Sequence, residues 1–381
     1  MALKIALIFD RLQRMGTGAI ASLPERRGRS AAAQDQILPL TSIRGVAALW
    51  VVFGHLLGPI LRVLDNSQPI PWLINLARGD QFAVDIFFIL SGYIMIVVYG
   101  THVDPVKFYL NRFARIFPLH IVVLGAAIAG FYLLQYNPIH SDAYSLANLV
   151  FYFTLTSAWV GLPPAWNPPA WSLSVETFAY LFFPFIQVVA KRLNLSAALV
   201  CVFVMGAAHG ATLSVLGFAD TGTGALLRGV LGFCAGALLR AALAEKQLRF
   251  APAIGLTMIA ICAVLNLYEF AVFAIFILIA GLGGNKSGLV IRTLSSRLMV
   301  WLGQISYSIY LIHFPLFIGT DRFLHKVNLL QSRAGQATFC LCYVAAVLMI
   351  SHLSWRFIET PARVAIHRWY GGARPKKQPP R

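Results

Sequence analysis

The chain has 381 residues, of which 58% are hydrophobic and only 12% charged, and its mean hydropathy is +0.72. This composition excludes a soluble globular domain and is typical of an integral membrane protein. The net charge of +17 does not indicate nucleic-acid binding, because the basic residues are scattered over loops and tails. The five cysteines lie in apolar runs without metal-type spacing, so we expect neither a metal site nor a redox centre.

Ten apolar segments are long enough to cross about 30 Å of hydrocarbon. In chain order they cover 37–59, 81–99, 117–135, 171–190, 195–217, 225–243, 250–266, 268–284, 298–318 and 336–357. The sequence therefore predicts an all-α, polytopic bundle of about ten transmembrane helices within residues 37–361. A basic N-terminal segment, 1–36, precedes this bundle, and a basic, disordered tail, 362–381, follows it.

The apolar segment 147–160 is too short for an ordinary span and suits an interfacial or re-entrant piece. If it does not cross, 24 of the 31 Lys and Arg residues fall in segments on one side of the membrane. The positive-inside rule then places both termini in the cytoplasm and residues 147–160 at the outer face. We expect the protein in a bacterial inner membrane with this orientation.

Arg44 and His55 lie within the first predicted span, eleven residues apart. Eleven residues make about three helical turns, so both side chains project from one face, roughly 16 Å apart along the axis. An arginine in hydrocarbon costs from ~3 to more than 10 kcal/mol by different estimates. Such a residue is kept only if it faces protein or a wet cavity, so the sequence predicts chemistry or transport inside the membrane.

The predicted topology sorts the other polar residues of the spans by depth. Asp85, Glu176 and His313 fall in the outer half with His55, and Arg112 and Arg115 lie at the cytoplasmic mouth of the third span. An acid/base centre above an anion-binding entrance is the simplest interpretation. We expect Asp85 and Glu176 to position or polarise either His55 or a substrate hydroxyl, with His313 as a rival base.

Structural alternatives remain open at this point. Asp85 can pair with an arginine to hold helices together, and a membrane histidine can simply hydrogen-bond across helices. Arg112 and Arg115 can be ordinary positive-inside anchors, although their spacing of three favours a shared anion. His120, His209 and His352 also lie in predicted spans, and we expect packing or interhelical contacts for them.

Several motifs occur in an order that resembles the family 3 membrane acyltransferases, which include exopolysaccharide and lipopolysaccharide O-acetyltransferases. The motifs are Ile43-Arg44-Gly45 with His55, Val84-Asp85 through Ser91-Gly92-Tyr93, Arg112 to Pro118, Trp171-Ser172 through Glu176, Leu302 to Pro315, and Phe357-Ile-Glu359-Thr-Pro361. Besides the charged residues, these motifs make Ser91, Trp171, Ser172, Tyr307, Tyr310 and His313 secondary site candidates.

The resemblance implies transfer of an acyl group, commonly acetyl, from cytoplasmic acyl-CoA to a glycan hydroxyl on the far side. It implies that Arg44 and His55 are the essential pair, and it also singles out Arg112 and Arg115, whose guanidinium groups suit the donor's phosphates. Acetyl-CoA is then a donor substrate, and no bound cofactor is expected.

A polytopic transporter or flippase for a glycan or acyl donor is the alternative, because it too needs buried charges. The ordered motifs favour the enzyme. Only a short basic tail follows residue 361, so we expect the bundle itself or a separate protein to complete the transfer.

Overall fold

The computed structural model describes residues 31–63, 71–100, 103–133, 144–243, 246–326 and 333–372. All regular elements in these ranges are helical, which confirms the all-α prediction. The N-terminal region 1–30 and the last residues, 373–381, lie outside the described ranges.

The first half of the chain forms helices that alternate with short connections. They are α1 (Ala31–Val63), α2 (Pro71–Arg78), α3 (Asp80–Tyr99), α4 (Pro105–Leu133), a 3₁₀ turn (Leu146–Asn148), α5 (Leu149–Phe153), α6 (Ala170–Arg192) and α7 (Leu195–Leu216). The second half continues with α8 (Gly222–Leu243), α9 (Ala251–Leu265), α10 (Tyr268–Gly284), α11 (Leu289–Leu294), α12 (Arg297–Gln304), α13 (Ser306–Lys326), α14 (Arg333–Ser354), a π-helical turn (Trp355–Glu359) and α15 (Thr360–Gly372).

Seven helical segments of the described chain are long and apolar enough to cross a membrane. Helix α12 and the first part of α13 meet at a bend of 61° and add an eighth if they form one span. Helices α9 and α10 are apolar but have only 15 and 17 residues, at or below the usual length of a span. The chain is thus an integral membrane protein, while the count of ten spans stays a prediction.

Residues 147–160 do not form a membrane-spanning helix, as the sequence predicted. After the five residues of α5, the chain turns, and both Leu155 and Trp166 have positive φ angles, of 57° and 58°. The irregular segment folds back on the bundle: the side chain of Asn167 is buried and donates a hydrogen bond to the carbonyl oxygen of Leu311 at 3.2 Å. Backbone without regular hydrogen bonds is tolerated at membrane depth only where protein covers it.

The predicted tail boundary at residue 361 is wrong. Helix α14, the π-helical turn and α15 form one continuous helical segment, so residues 362–372 are helical. The basic residues of this region suggested a solvated tail, but α15 instead packs against the start of α4.

Close helix crossings at glycines fix the positions of the motif-bearing helices. At the crossing of α3 and α8, a β-carbon on either Gly92 or Gly236 would lie 1.9 Å from a carbonyl oxygen of the facing helix. At the crossing of α1 and α12, a β-carbon on Gly45 or Gly303 would lie 2.7 or 2.1 Å from the facing backbone. Small residues permit such close approach in membrane proteins. The second crossing holds Arg44, the neighbour of Gly45, in place.

A buried ion pair joins α3, α7 and α8. The Nε atom of Arg228 donates to Asp85 Oδ1 at 2.7 Å, and His209 Nε2 lies 3.2 Å from the same oxygen. The guanidinium also donates to the backbone oxygen of Gln81 at 2.8 Å and to its side-chain oxygen at 3.0 Å. At most 2% of Asp85, His209 and Arg228 is exposed. Asp85 therefore has the structural partner that the sequence left open as an alternative.

We expect Asp85→Asn to destabilise the fold more than it alters the chemistry. The substitution leaves the Arg228 charge buried without its counterion, which typically costs about 3–5 kcal/mol. Thermal unfolding of the detergent-solubilised protein should show a large fall in Tm. The double variant Asp85→Asn/Arg228→Gln should lose less than the sum of the single variants, because the two side chains are coupled.

The matched control is Asp104→Asn, the same chemical change at an exposed side chain that caps α4. Asparagine caps helices as well as aspartate does, so its Tm should not change. If Asp85→Asn kept its Tm but lost activity, Asp85 would belong to the catalytic machinery instead.

Candidate active site

Residues from the predicted motifs line one cavity between four helices. It holds about 490 Å³ of space free of protein atoms, including the part open to solvent. The lining residues are Arg44 of α1, Phe87, Phe88 and Ser91 of α3, Ser172, Leu173 and Glu176 of α6, and Ser306, Tyr307 and Tyr310 of α13. Motifs that are far apart in sequence thus converge on one polar chamber inside an apolar bundle.

The carboxylate of Glu176 is anchored at one side of this cavity. Its Oε1 atom accepts hydrogen bonds from Ser91 Oγ and from the Tyr180 hydroxyl, each at 2.5 Å. The two hydroxyl oxygens are themselves 3.0 Å apart. Arg44 interacts electrostatically with Glu176, so opposite charges face each other within the cavity. One oxygen of Glu176 is thus held by two hydroxyl donors.

Arg112 and Arg115 of α4 lie at the same site. The Arg112 guanidinium is 6.0 Å from the ring centroid of Tyr99 and 5.7 Å from that of Tyr180. Its Nε atom is buried and has no hydrogen-bond partner among the described residues. Arg115 lies 5.4 Å from the ring of Tyr307 and donates from Nη1 to Glu359 Oε2 at 3.2 Å.

Arg363 of α15 completes what we call the arginine cluster, which consists of Arg44, Arg112, Arg115 and Arg363. Arg363 Nη2 is 3.8 Å from Glu359 Oε2, and its charge interacts with those of the other three arginines. Two carboxylates of the described site, Glu176 and Glu359, offset part of these four positive charges. Two positive charges therefore remain, which suits a polyanionic ligand.

His55 and His313 form a second group, with ring centroids 5.1 Å apart. His55 Nδ1 is 2.9 Å from the carbonyl oxygen of Val51, and His313 Nδ1 is 3.1 Å from that of Ile309. A carbonyl oxygen can only accept, so the proton of each neutral imidazole is assigned to Nδ1. Each Nε2 then carries a free lone pair, and that of His313 is buried without a hydrogen-bond partner in the described structure.

Tyr310 connects the histidines with the cavity. Its hydroxyl is 2.8 Å from Ser172 Oγ, and its ring centroid is 6.1 Å from that of His313. Trp171, next to Ser172, instead packs over the Arg228 guanidinium at 5.8 Å and supports the buried ion pair. The secondary candidates thus divide between the cavity and its structural surroundings.

The structure does not bring the two carboxylates and the two histidines together in one acid/base centre. Glu176 lies among the arginines, and Asp85 pairs with Arg228 and His209. In the described part of the chain, neither carboxylate contacts His55. Helical periodicity predicts which face a residue occupies and its approximate depth, but not which neighbouring helix that face meets.

Tyr180, Glu359 and Arg363 contact the charged residues of this site but were not among the sequence candidates. Tyr180 follows Glu176 by one helical turn and shares its face, which is a signal that the sequence offers. Glu359 lies in the last matched motif as a lone acidic residue after a long apolar run. For Arg363 the sequence gives no signal that distinguishes it from the other basic residues of the C-terminal region.

Comparisons with known proteins identify the family of this chain. The family model described as an acyltransferase domain, of acyltransferase family 3, matches residues 40–355. The acyltransferase MdmB of Streptomyces mycarofaciens is 26% identical over 359 residues, which are 84% of this chain and 90% of MdmB. The peptidoglycan O-acetyltransferase OatA of Listeria monocytogenes is 26% identical over 352 residues, 80% of this chain but 55% of OatA. No solved structure matched.

The match covers all of the cavity-lining residues and both histidines, and it ends just before Glu359 and Arg363. It favours an enzyme over a transporter, as the ordered motifs predicted. The chain belongs to the family 3 membrane acyltransferases.

Proposed function

We propose that this acyltransferase moves an acetyl group from acetyl-CoA, arriving from the cytoplasm, to a hydroxyl group of a glycan on the other side of the membrane. The observation that carries the proposal is the arginine cluster with its two surplus positive charges. Arg44 of this cluster lines the cavity together with Tyr310, whose ring centroid is 6.1 Å from that of His313. The name of OatA, a peptidoglycan O-acetyltransferase, supports a glycan acceptor.

The donor end of the site is the arginine cluster. The phosphates of acyl-CoA are polyanionic, and guanidinium groups bind phosphate with two parallel hydrogen bonds. Arg112 is the member whose guanidinium packs over two tyrosine rings, and in the described structure no carboxylate lies within salt-bridge distance of it. With the phosphates at the cluster, the long pantetheine arm lies along the cavity toward Tyr310 and the histidines.

The chemical step belongs to His55. A sugar hydroxyl is a poor nucleophile at neutral pH, and a base that takes its proton is typically worth ~10²–10⁴-fold in rate. Nε2 of His55 accepts the hydroxyl proton while the oxygen attacks the thioester carbonyl. The carbon–sulfur bond then breaks, and the CoA thiolate takes up the proton from the imidazolium. In the alternative route, Nε2 first carries the acyl group as an acyl-imidazole.

We expect His55→Ala to abolish acetyl transfer while the protein still inserts and expresses. Release of CoA thiol from acetyl-CoA in the presence of a glycan acceptor measures the loss. His367→Ala, a partly buried histidine of α15 outside the site, is the matched control and should keep its activity. If His55→Ala stayed active while His313→Ala did not, the roles of the two histidines would be reversed.

We expect Arg112→Gln to raise the donor KM about tenfold or more, because one charge-assisted hydrogen bond to phosphate contributes about 1.5–3 kcal/mol. Arg115→Gln should have a smaller effect, since Arg115 already shares its charge with Glu359. Arg249→Gln removes an exposed charge outside the site and should leave the donor KM unchanged. An unaltered donor KM in both cluster variants would contradict phosphate binding at this site.

We also propose that both termini face the cytoplasm, on the basis of the asymmetry of the basic residues. Single cysteines at Val160 and Lys246, both exposed in loops, test this in a cysteine-free background. A membrane-impermeant reagent added outside should label position 160 and not position 246. The reverse result would invert the topology. Two other positions in the region predicted to lie outside are less suitable for labelling, because Ser141 lies outside the described residues and Asn167 is buried.

A further inference from the structure

The carboxylate of Glu359 is surrounded by donors as a bound anion would be. Its Oε2 accepts from Arg115 at 3.2 Å and lies 3.8 Å from Arg363 Nη2, while its Oε1 accepts a short hydrogen bond from Ser308 Oγ. These partners come from α4, α15 and α13, so three helices form the pocket. The Glu359 side chain is only 1% exposed, whereas 18% of Arg115 and 29% of Arg363 are accessible.

From this arrangement we propose that Glu359 is an internal counter-anion that competes with the donor's phosphates for the arginine cluster. In the free enzyme its carboxylate occupies Arg115 and Arg363. When acyl-CoA binds, Arg115 transfers part of its hydrogen bonding from the carboxylate to phosphate. The proposal rests on the proposed function, because it requires that the arginine cluster binds the donor.

Electrostatics gives such a carboxylate two opposing effects. Four arginines without it would carry three surplus positive charges against Glu176 alone, at a high cost of burial. Glu359 reduces that cost in the absence of ligand. By the same attraction it weakens the binding of any other anion, and therefore lets the product CoA leave.

The carboxylate lies at a point where the winding of the helix changes. Glu359 is the last residue of the π-helical turn Trp355–Glu359, between the α-helices α14 and α15. A π-helical turn contains one residue more than an α-helical turn and often occurs at functional sites. A change in the winding of this turn rotates Glu359 relative to Arg115, which lies on α4. Arg363 follows Glu359 by one turn on the same helical segment, so its charge stays near the carboxylate.

Binding of CoA to the intact, detergent-solubilised protein tests the proposal. Isothermal titration calorimetry measures the Kd for CoA and for adenosine 3′,5′-bisphosphate. For Glu359→Gln we expect both Kd values to be lower than those of the wild type, on the order of tenfold. This is the change expected when one competing charge-assisted hydrogen bond is lost. CoA should also become a correspondingly stronger product inhibitor. A purely structural role of Glu359 would instead release Arg115 from its position and raise the Kd.

Two controls separate charge from packing. Glu269→Gln makes the same change in the first turn of α10, outside the cluster, and should leave the Kd unchanged. Ser308→Ala removes a partner of Glu359 but keeps its charge, so it should not tighten CoA binding. If Glu359→Gln fails to fold, Glu359→Asp, which shortens the reach to Arg115, should tighten binding by a smaller factor.

The outcomes distinguish the two proposals. If the wild type binds CoA and neither Glu359 variant binds it more tightly, Glu359 is not a competing counter-anion. The proposal that acyl-CoA is the donor is then unaffected. If the wild type binds neither probe, the donor assignment fails and the counter-anion fails with it.

Discussion

Charge that is removed from water must be balanced nearby, and this constraint organises the whole bundle. The fully buried Arg228 is matched by Asp85 and by the oxygens of Gln81. The arginine cluster is only partly matched, by Glu176 and Glu359. The ion pair of Arg228 with Asp85 is neutral as a whole, so it offers no net charge to a ligand, and it joins three helices. The arginine cluster leaves a surplus, and a surplus of charge in a low-dielectric site attracts an ion of the opposite sign.

The sequence predicts most of the fold class and of the residues at the site, because both depend on composition and local pattern. An apolar chain with few charges must form helices in a membrane, and Arg44 must face away from lipid. The sequence predicted that the segment 147–160 is too short to cross the membrane, and the structure has only a five-residue α-helix there. These conclusions need no knowledge of which helices are neighbours.

The partners of the charged residues could not be predicted in the same way. Arg228 lies 143 positions after Asp85, and Glu359 lies 244 positions after Arg115. Periodicity is a local property, so it does not say which distant helix packs against a given face. For this reason Glu176 was expected beside the histidines, although it lies among the arginines. The helical continuation of α15 was missed because basic composition alone suggested a solvated tail.

The glycine crossings have a mechanical consequence. Where α3 meets α8 and α1 meets α12, backbone packs directly on backbone, so no layer of side chains lies between these helices that could rearrange. Any widening of the cavity for a bulky substrate must come from its other walls, α6 and α13. Both contain a proline, Pro184 and Pro315, that removes a backbone hydrogen bond and makes bending easier. Of the four helices that line the cavity, α1 and α3 are thus held by close packing, whereas α6 and α13 can bend.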